Sequence, residues 1–218
     1  PTLGNVSLPG SPIRFDDNAF SGGRPAHLAP PTLDEHGAAI AFDAQAKEFD
    51  QLYGGDLIIQ YKRDRVRRHV EKFLSPGSSI LELNAGTGED AIYFASRGHR
   101  VHATDISPVM QEVLKEKVDS ADQELKISTE LCSFTQLESL QNRGPYDLIF
   151  SNFAGLNCSE NLEQVLNSFD VLLRPGGRAT LVILPKFCLW EFLMLFRGRF
   201  RTAFRRFAGK NGAAAKIN

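Results

Sequence analysis

The sequence predicts an α/β fold: a parallel sheet of about five strands with flanking helices. Two observations carry that expectation. Short apolar runs alternate with amphipathic stretches of about ten residues between Ser79 and Leu184. A glycine-rich turn stands where the first of those runs meets an amphipathic stretch.

The order of elements follows from the punctuation between them. Residues 43–74 place Phe49, Leu52 and Tyr53, then Val66, Val70, Phe73 and Leu74, at helical spacings, and Gly54-Gly55 divides them into two helices. Ser75-Pro76-Gly77 stops the second, because proline disfavours a helical predecessor and glycine permits positive φ. Ser79–Leu83 is the first strand, followed by the glycine turn and a helix over Asp90–Ser96 that Arg97-Gly98 ends. Arg100–Thr104 is the second strand and Pro108–Val118 the next helix, with Ser107 as its cap. Leu125–Leu131 alternates cleanly as a third strand, Asp147–Ser151 is a fourth, and Leu162–Leu173 is helical. Arg174-Pro-Gly-Gly177 then turns the chain into a fifth strand, Arg178–Leu184.

The 218 residues suffice for one domain with a sizeable core and some appended sequence. Lysine and arginine number 25 against 26 acidic residues, so no global charge argues for a nucleic-acid partner. Cys132, Cys158 and Cys188 are scattered and form no CxxC pair, and nothing near the start resembles a signal peptide. They read as reduced thiols of a cytoplasmic protein. No two of the five histidines stand at metal-ligand spacing, which predicts no structural metal. Residues 1–40 hold Pro1, Pro9, Pro12, Pro25, Pro30 and Pro31 without apolar periodicity, and should form an extended tail set apart from a domain over 41–218. A chain that starts with Pro1 and not Met reads as processed, or as a piece of a longer reading frame.

The sharpest chemical signal is Glu82-Leu-Asn-Ala-Gly-Thr-Gly88, at the strand-to-helix turn. Glycines there let the backbone pass close to a ligand without a Cβ collision. The spacing Gly86-Thr-Gly88-Glu-Asp-Ala91 also fits a dinucleotide fingerprint, so spacing leaves two ligands open. Charge separates them. A dinucleotide would set its pyrophosphate on the helix N-terminus, yet Glu89 and Asp90 fill that first turn and Glu82 ends the strand beneath it. Each carboxylate would repel a pyrophosphate by about 1 kcal/mol or more. They suit a ligand bearing an ammonium and a sulfonium, which is S-adenosyl-L-methionine. Asp105, closing the second strand, can accept both hydroxyls of a ribose, whichever nucleoside carries it.

Four segments together resemble class I S-adenosylmethionine-dependent methyltransferases, a Rossmann-like family. They are Ile80–Gly88, Arg97–Ser107, Tyr146–Asn152 and Leu173–Arg178, and the likeness covers residues 43–185. The resemblance implies that Glu82 and the loop Asn84, Ala85, Gly86, Thr87 and Gly88 line the methionine end of the cofactor. It implies that Asp105 holds the ribose and that Ile106 packs on the adenine. Ser133 would face the adenine amino group, with Phe134 beside it, where the family often has Asp. Asn152 would sit near the transferring methyl, and Tyr53 would form a lid over the cofactor carboxylate. Asn84 stands where the family usually has Gly; asparagine tolerates left-handed geometry, and its side chain should narrow the pocket. His99 and His102 read as surface or strand residues, so no catalytic residue is named. The family's sheet ends with two further strands, one antiparallel, and too few residues follow Phe207 to supply them. The fifth strand should therefore be an uncovered edge of a C-terminally truncated domain.

Two segments lie outside that likeness. Leu8–Phe15 and Ala29–Gly37 resemble the C-terminal tail of family III CoA-transferases, with Asp34 where that family has Gly. Phe187–Phe207 interleaves Phe192, Phe196, Phe200 and Phe204 with arginines, and Gly198 should break its helix. It reads as a core-facing helix, as a substrate lid or peripheral membrane contact, or as a surface for nucleic acid. It is too short and charged to span a membrane. The expected activity is methyl transfer from S-adenosyl-L-methionine to a small-molecule or lipid-like acceptor. The alternatives are a non-catalytic adenosylmethionine-binding module and an NAD-type dinucleotide binder. The sequence sets no oligomeric state.

Overall fold

The computed structural model describes residues 37, 39–40, 42–44, 46–153, 155–159 and 161–184, with isolated positions at 189, 193, 196, 198 and 200. Residues 25–183 form one compact unit, and 1–24 with 184–218 are grouped in another. Most of the tail over 1–40 and of the aromatic segment over 187–207 lies outside the described residues; within the latter, Gly198 has a φ of 69°.

In chain order the first unit contains α1 (Phe49–Tyr53), α2 (Leu57–Glu71), β1 (Ser79–Leu83), α3 (Glu89–Ala95), β2 (Arg100–Asp105), α4 (Pro108–Asp119) and β3 (Ile127–Leu131). A 3-10 turn at Phe134–Ser139 leads to β4 (Tyr146–Ser151), a second at Gly155–Cys158 leads to α5 (Leu162–Asn167) and α6 (Phe169–Leu172), and β5 (Leu173–Leu181) follows. The five strands run in the order β3-β2-β1-β4-β5, and every neighbouring pair is parallel. The predicted fold class is the observed one.

Both faces of the sheet are covered, which is why β1 and β4 read as continuous apolar runs. Successive residues point to opposite sides. Ile80, Leu148 and Phe150 pack with Val70, Ala91, Phe94 and Leu114, under α2, α3 and α4. Leu81, Leu83 and Ile149 pack on the other side with Phe134, Leu137, Leu156, Val165 and Phe169.

Several boundaries differ from the sequence expectation, three of them for a clear local reason. The third strand starts at Ile127 and not Leu125, because Ile127 N donates to Leu125 O in a tight turn. The expected helix over Leu162–Leu173 is interrupted at Ser168, whose hydroxyl donates to Val165 O at 2.7 Å and competes with the backbone. β5 is already paired at Leu173, against Tyr146; Arg174–Gly177 bulge out before Arg178 meets Leu148. Gly176, with a φ of 79°, makes that bulge possible.

Gly88 starts α3 in a left-handed conformation, φ 81°. A Cβ there would run into the side chain of fully buried Leu114, whereas a Cβ on Gly86, φ 57°, would meet open space. Gly88→Ala is therefore expected to cost about 3 kcal/mol of stability, from left-handed strain and overpacking together. Gly86→Ala should cost about 1 kcal/mol, from strain alone. Urea unfolding of the two variants checks the difference.

Candidate functional site

In a sheet of this order the chain reverses its direction of winding between β1 and β4, leaving a crevice at the strands' C-terminal ends. The residues that end β1, β2 and β4 converge there. Glu82, on β1, is 3% exposed, and its Oε2 has no hydrogen-bond partner. Burial holds its carboxyl well above the usual carboxylate range; Asp90 pushes in the same direction and the Arg63 and Arg67 guanidiniums oppose.

Those two arginines explain the acidic first turn of α3. They stand one turn apart on α2, so both reach the same carboxylate. Arg63 Nη1 donates to Asp90 Oδ2 at 2.9 Å, Arg67 Nε donates to Asp90 Oδ1 at 2.6 Å, and Arg67 Nη2 donates to the Glu89 carbonyl at 2.5 Å. Asn152 Nδ2 adds a third bond to Asp90, at 3.1 Å. The guanidiniums also cover aromatic rings, Arg63 over Phe153 and Arg67 over Tyr93. Glu89 pairs with Lys117. The expectation of a turn made negative by Glu89 and Asp90 is thus corrected: neighbouring cations compensate both, and Glu82 is left as the acid whose oxygen lacks a partner.

Asn84 adopts the left-handed conformation expected of it, φ 49°. Its side chain lies across the crevice. Oδ1 accepts from Ser151 Oγ at 2.6 Å and Nδ2 donates to the Asn152 carbonyl at 3.1 Å, bracing the end of β1 against the end of β4. The close approach admits only a glycine at position 155, where a Cβ would strike the Asn84 amide.

Asp105 ends β2, and backbone amides orient its carboxylate. Oδ2 accepts from Gly86 N at 2.8 Å and Oδ1 accepts from Ser107 N at 2.9 Å. Burial raises its pKa, and these amides oppose the rise. Each oxygen retains a lone pair for a further donor. Ser107 caps α4, as expected, by accepting from Met110 N.

The remaining expected site residues fall into two groups. Ala85 and Thr87 are buried in the glycine turn, where Ala85 N donates to the Thr104 carbonyl and Thr87 Oγ1 donates to Asp50 on α1. Ile106 is half-buried beside Asp105, and Tyr53 is half-buried at the end of α1 with its ring 4.8 Å from that of Phe49. Phe134 is different: it sits among apolar side chains of the core. Ser133 caps the 3-10 turn by accepting from Thr135 N at 3.2 Å. Asn152 is buried and spent on Asp90 and on its neighbour Phe153 N. His102 is a strand residue, as expected, held between Ser128 and Glu130 of β3. His99 and His102 are both buried and not at the surface, and burial lowers the pKa of each. Cys132 is a free, buried thiol.

Sequence reasoning missed Arg63, Arg67, Lys117, Asp43 and Asp50. A signal existed for the arginines. Positions 63, 66, 67 and 70 share one helical stripe, so Arg63 and Arg67 stand on the same face as Val66 and Val70. The acidic residues on the N-terminal segment carried no such pattern.

A doubly covered parallel sheet with a glycine turn after β1 and an oriented acid after β2 defines a nucleoside-binding α/β domain. Residues 80–177 match the profile of a family described as a methyltransferase domain. Over these residues the chain is similar to methyltransferase domains, among them ones with S-adenosylmethionine bound. An S-adenosyl-L-methionine-dependent Diels-Alderase of Talaromyces variabilis is 32% identical over 123 residues, 54% of this chain and 41% of that protein. Ribosomal RNA large subunit methyltransferase E of Sorangium cellulosum is 25% identical over 128 residues, 57% of this chain and 56% of that protein. The chain spans about half the length of these curated relatives. Magnesium protoporphyrin IX methyltransferase from Synechocystis PCC 6803 with bound SAM shares the fold, with a TM-score of 0.58 at 18% identity over 73% of this chain and 80% of that one. The CoA-transferase likeness of residues 1–40 has no support in these comparisons. Among the described residues, no helix is long and apolar enough to cross a membrane, and no group of three or more His, Cys, Asp and Glu could hold a metal ion.

Two outcomes are expected. Asp90→Asn should cost about 3–5 kcal/mol, since it leaves two buried guanidiniums without their carboxylate; thermal or urea unfolding measures it. The second concerns pH. With Glu82 and Asp105 raised, the folded chain keeps protons that the unfolded chain has already lost. Ligand-free stability should then fall as pH rises above the ordinary carboxylate range, by up to about 1.4 kcal/mol per pH unit for each group. Glu82→Gln should flatten that slope, and urea unfolding across pH reads it directly.

Proposed function

We propose that the domain binds S-adenosyl-L-methionine across the C-terminal ends of β1 and β2 and moves its methyl to a small-molecule or lipid-like acceptor. The observation that carries the reading is the buried, unpartnered oxygen of Glu82 at the crevice. An acceptor oxygen left without a partner in the interior is costly, and a cationic amino group is the partner that suits it best.

The surrounding residues fit the same ligand. Gly86 leaves open space where a side chain would stand, and the Asn84–Gly88 turn would hold the methionine end against β1. Asp105, oriented by two amides, would accept the ribose hydroxyls, with Ile106 against the adenine. Tyr53 would cover the site from α1. When bound, the cofactor supplies a methyl carbon activated by positive sulfur for in-line displacement. The chain's part is to orient that carbon and to exclude water. Asn152 and Asn84 set the wall on the β4 side, and no side chain is assigned the role of base.

A second reading, adenosylmethionine binding without methyl transfer, is favoured by one observation. The Asn84 carboxamide lies across the crevice where the resemblance has glycine. A relative named as a Diels-Alderase supports the idea that such a domain serves chemistry other than methylation.

Calorimetric titration tests the first part. S-adenosylhomocysteine should bind the wild type, NADH should not, and Glu82→Gln should weaken binding about tenfold to a hundredfold. No binding by the wild type would overturn the proposal. Tritiated-methyl transfer to lipid and metabolite pools then separates the two readings: label in either supports transfer, and none with intact binding supports the second.

A further inference from the structure

The ammonium of Lys117, in the last turn of α4, has three partners. It donates to the Thr87 carbonyl of the glycine turn at 3.0 Å, pairs with Asp50 Oδ2 of α1 at 2.5 Å, and pairs with Glu89 Oε1 at 3.2 Å. Two of these contacts are hydrogen bonds and the third is an ion pair. Asp50 in turn accepts from Thr87 Oγ1 at 2.7 Å. Lys117, Asp50 and Thr87 thereby close one ring that joins α4, α1 and the glycine turn. A second tether lies upstream, where Asp43 accepts from Ser107 Oγ, the hydroxyl that caps α4. The segment from Asp43 to Tyr53 is thus fastened at two places: the turn after β1 and the turn after β2.

Among the described residues, α1 is held by little fully buried surface. It has five residues and none of them is buried. A helix so short has no stability of its own in water. Polar contacts contribute to its position, and those at Lys117 are partly open to solvent, with side chains 25% exposed at Lys117, 33% at Asp50 and 40% at Glu89. Pairs of that kind are individually weak, so they can hold α1 closed and still release it.

We infer that Lys117 is a positioning residue that latches α1 over the glycine turn, and that opening of this latch sets the rate of cofactor exchange. The inference rests on the proposed cofactor site, since Thr87 and Ser107 belong to the two turns assigned to the nucleoside. The two are nonetheless separable by experiment.

Hydrogen exchange at the α1 amides of Leu52 and Gly54, which donate to Glu48 O and Asp50 O, reads the latch in the ligand-free, full-length chain. Stopped-flow dissociation of S-adenosylhomocysteine reads its consequence. Lys117→Met should raise both rates about tenfold and leave the urea midpoint close to the wild type. Asp50→Asn should do much the same, and the double variant should exceed neither, because both residues serve one ring. Lys117→Arg should restore most of the slow exchange. Unchanged α1 exchange in Lys117→Met, or effects of the two substitutions that multiply, would overturn the latch. Failure of the wild type to bind S-adenosylhomocysteine would overturn the cofactor reading and with it the claim about cofactor exchange, and the hydrogen-exchange arm would still decide the latch.

Discussion

Beneath the glycine turn, two guanidiniums close on one carboxylate, and the rest of the crevice is arranged around that clasp. Asp90 takes Arg63 and Arg67 from α2 and Asn152 from the loop after β4, so a single side chain ties two elements to the start of α3. With Asp90 the hydrogen-bonded partner of both cations, the nearby Glu82 feels them only at a distance. Its buried oxygen lacks a hydrogen bond. The polarity of the site follows from this division of labour and not from a simple excess of acid around the loop.

The same clasp transmits geometry. Asn152 is fixed by Asp90, its carbonyl holds the Asn84 carboxamide, and Asn84 sits in left-handed backbone at the end of β1. The wall facing β4 is therefore coupled to the glycine turn through a short chain of hydrogen bonds. On the opposite side, Lys117 and Asp50 connect the turn to α1. One side is buried; the other is partly solvated.

Much of the fold was legible because the signals were local. The alternation of Ile80 and Leu81 on a doubly buried strand, the glycine turn, and the Ser107-Pro108 cap each act within a few residues. Glu82, Asn84 and Asp105 were legible for the same reason, as strand-terminal residues next to that turn. What escaped depends on contacts remote in sequence. Arg63 and Arg67 neutralise Asp90 across a separation no pattern of charge reveals, although their place on the Val66–Val70 face hinted at burial. Phe134, which the resemblance sets beside Ser133 at the cofactor, packs its ring in the core with Leu137 and Phe169. Ser133 likewise has a local use, as a cap for the turn that follows.

If Glu82 is the acid that receives the cationic end of the cofactor, it has to give up a proton when the ligand binds. Calorimetry of S-adenosylmethionine binding in buffers of different ionisation enthalpy counts that proton. The account predicts release of up to about one proton in mildly acidic solution by the wild type, and none attributable to this site in Glu82→Gln. Equal proton counts for the two proteins would contradict it.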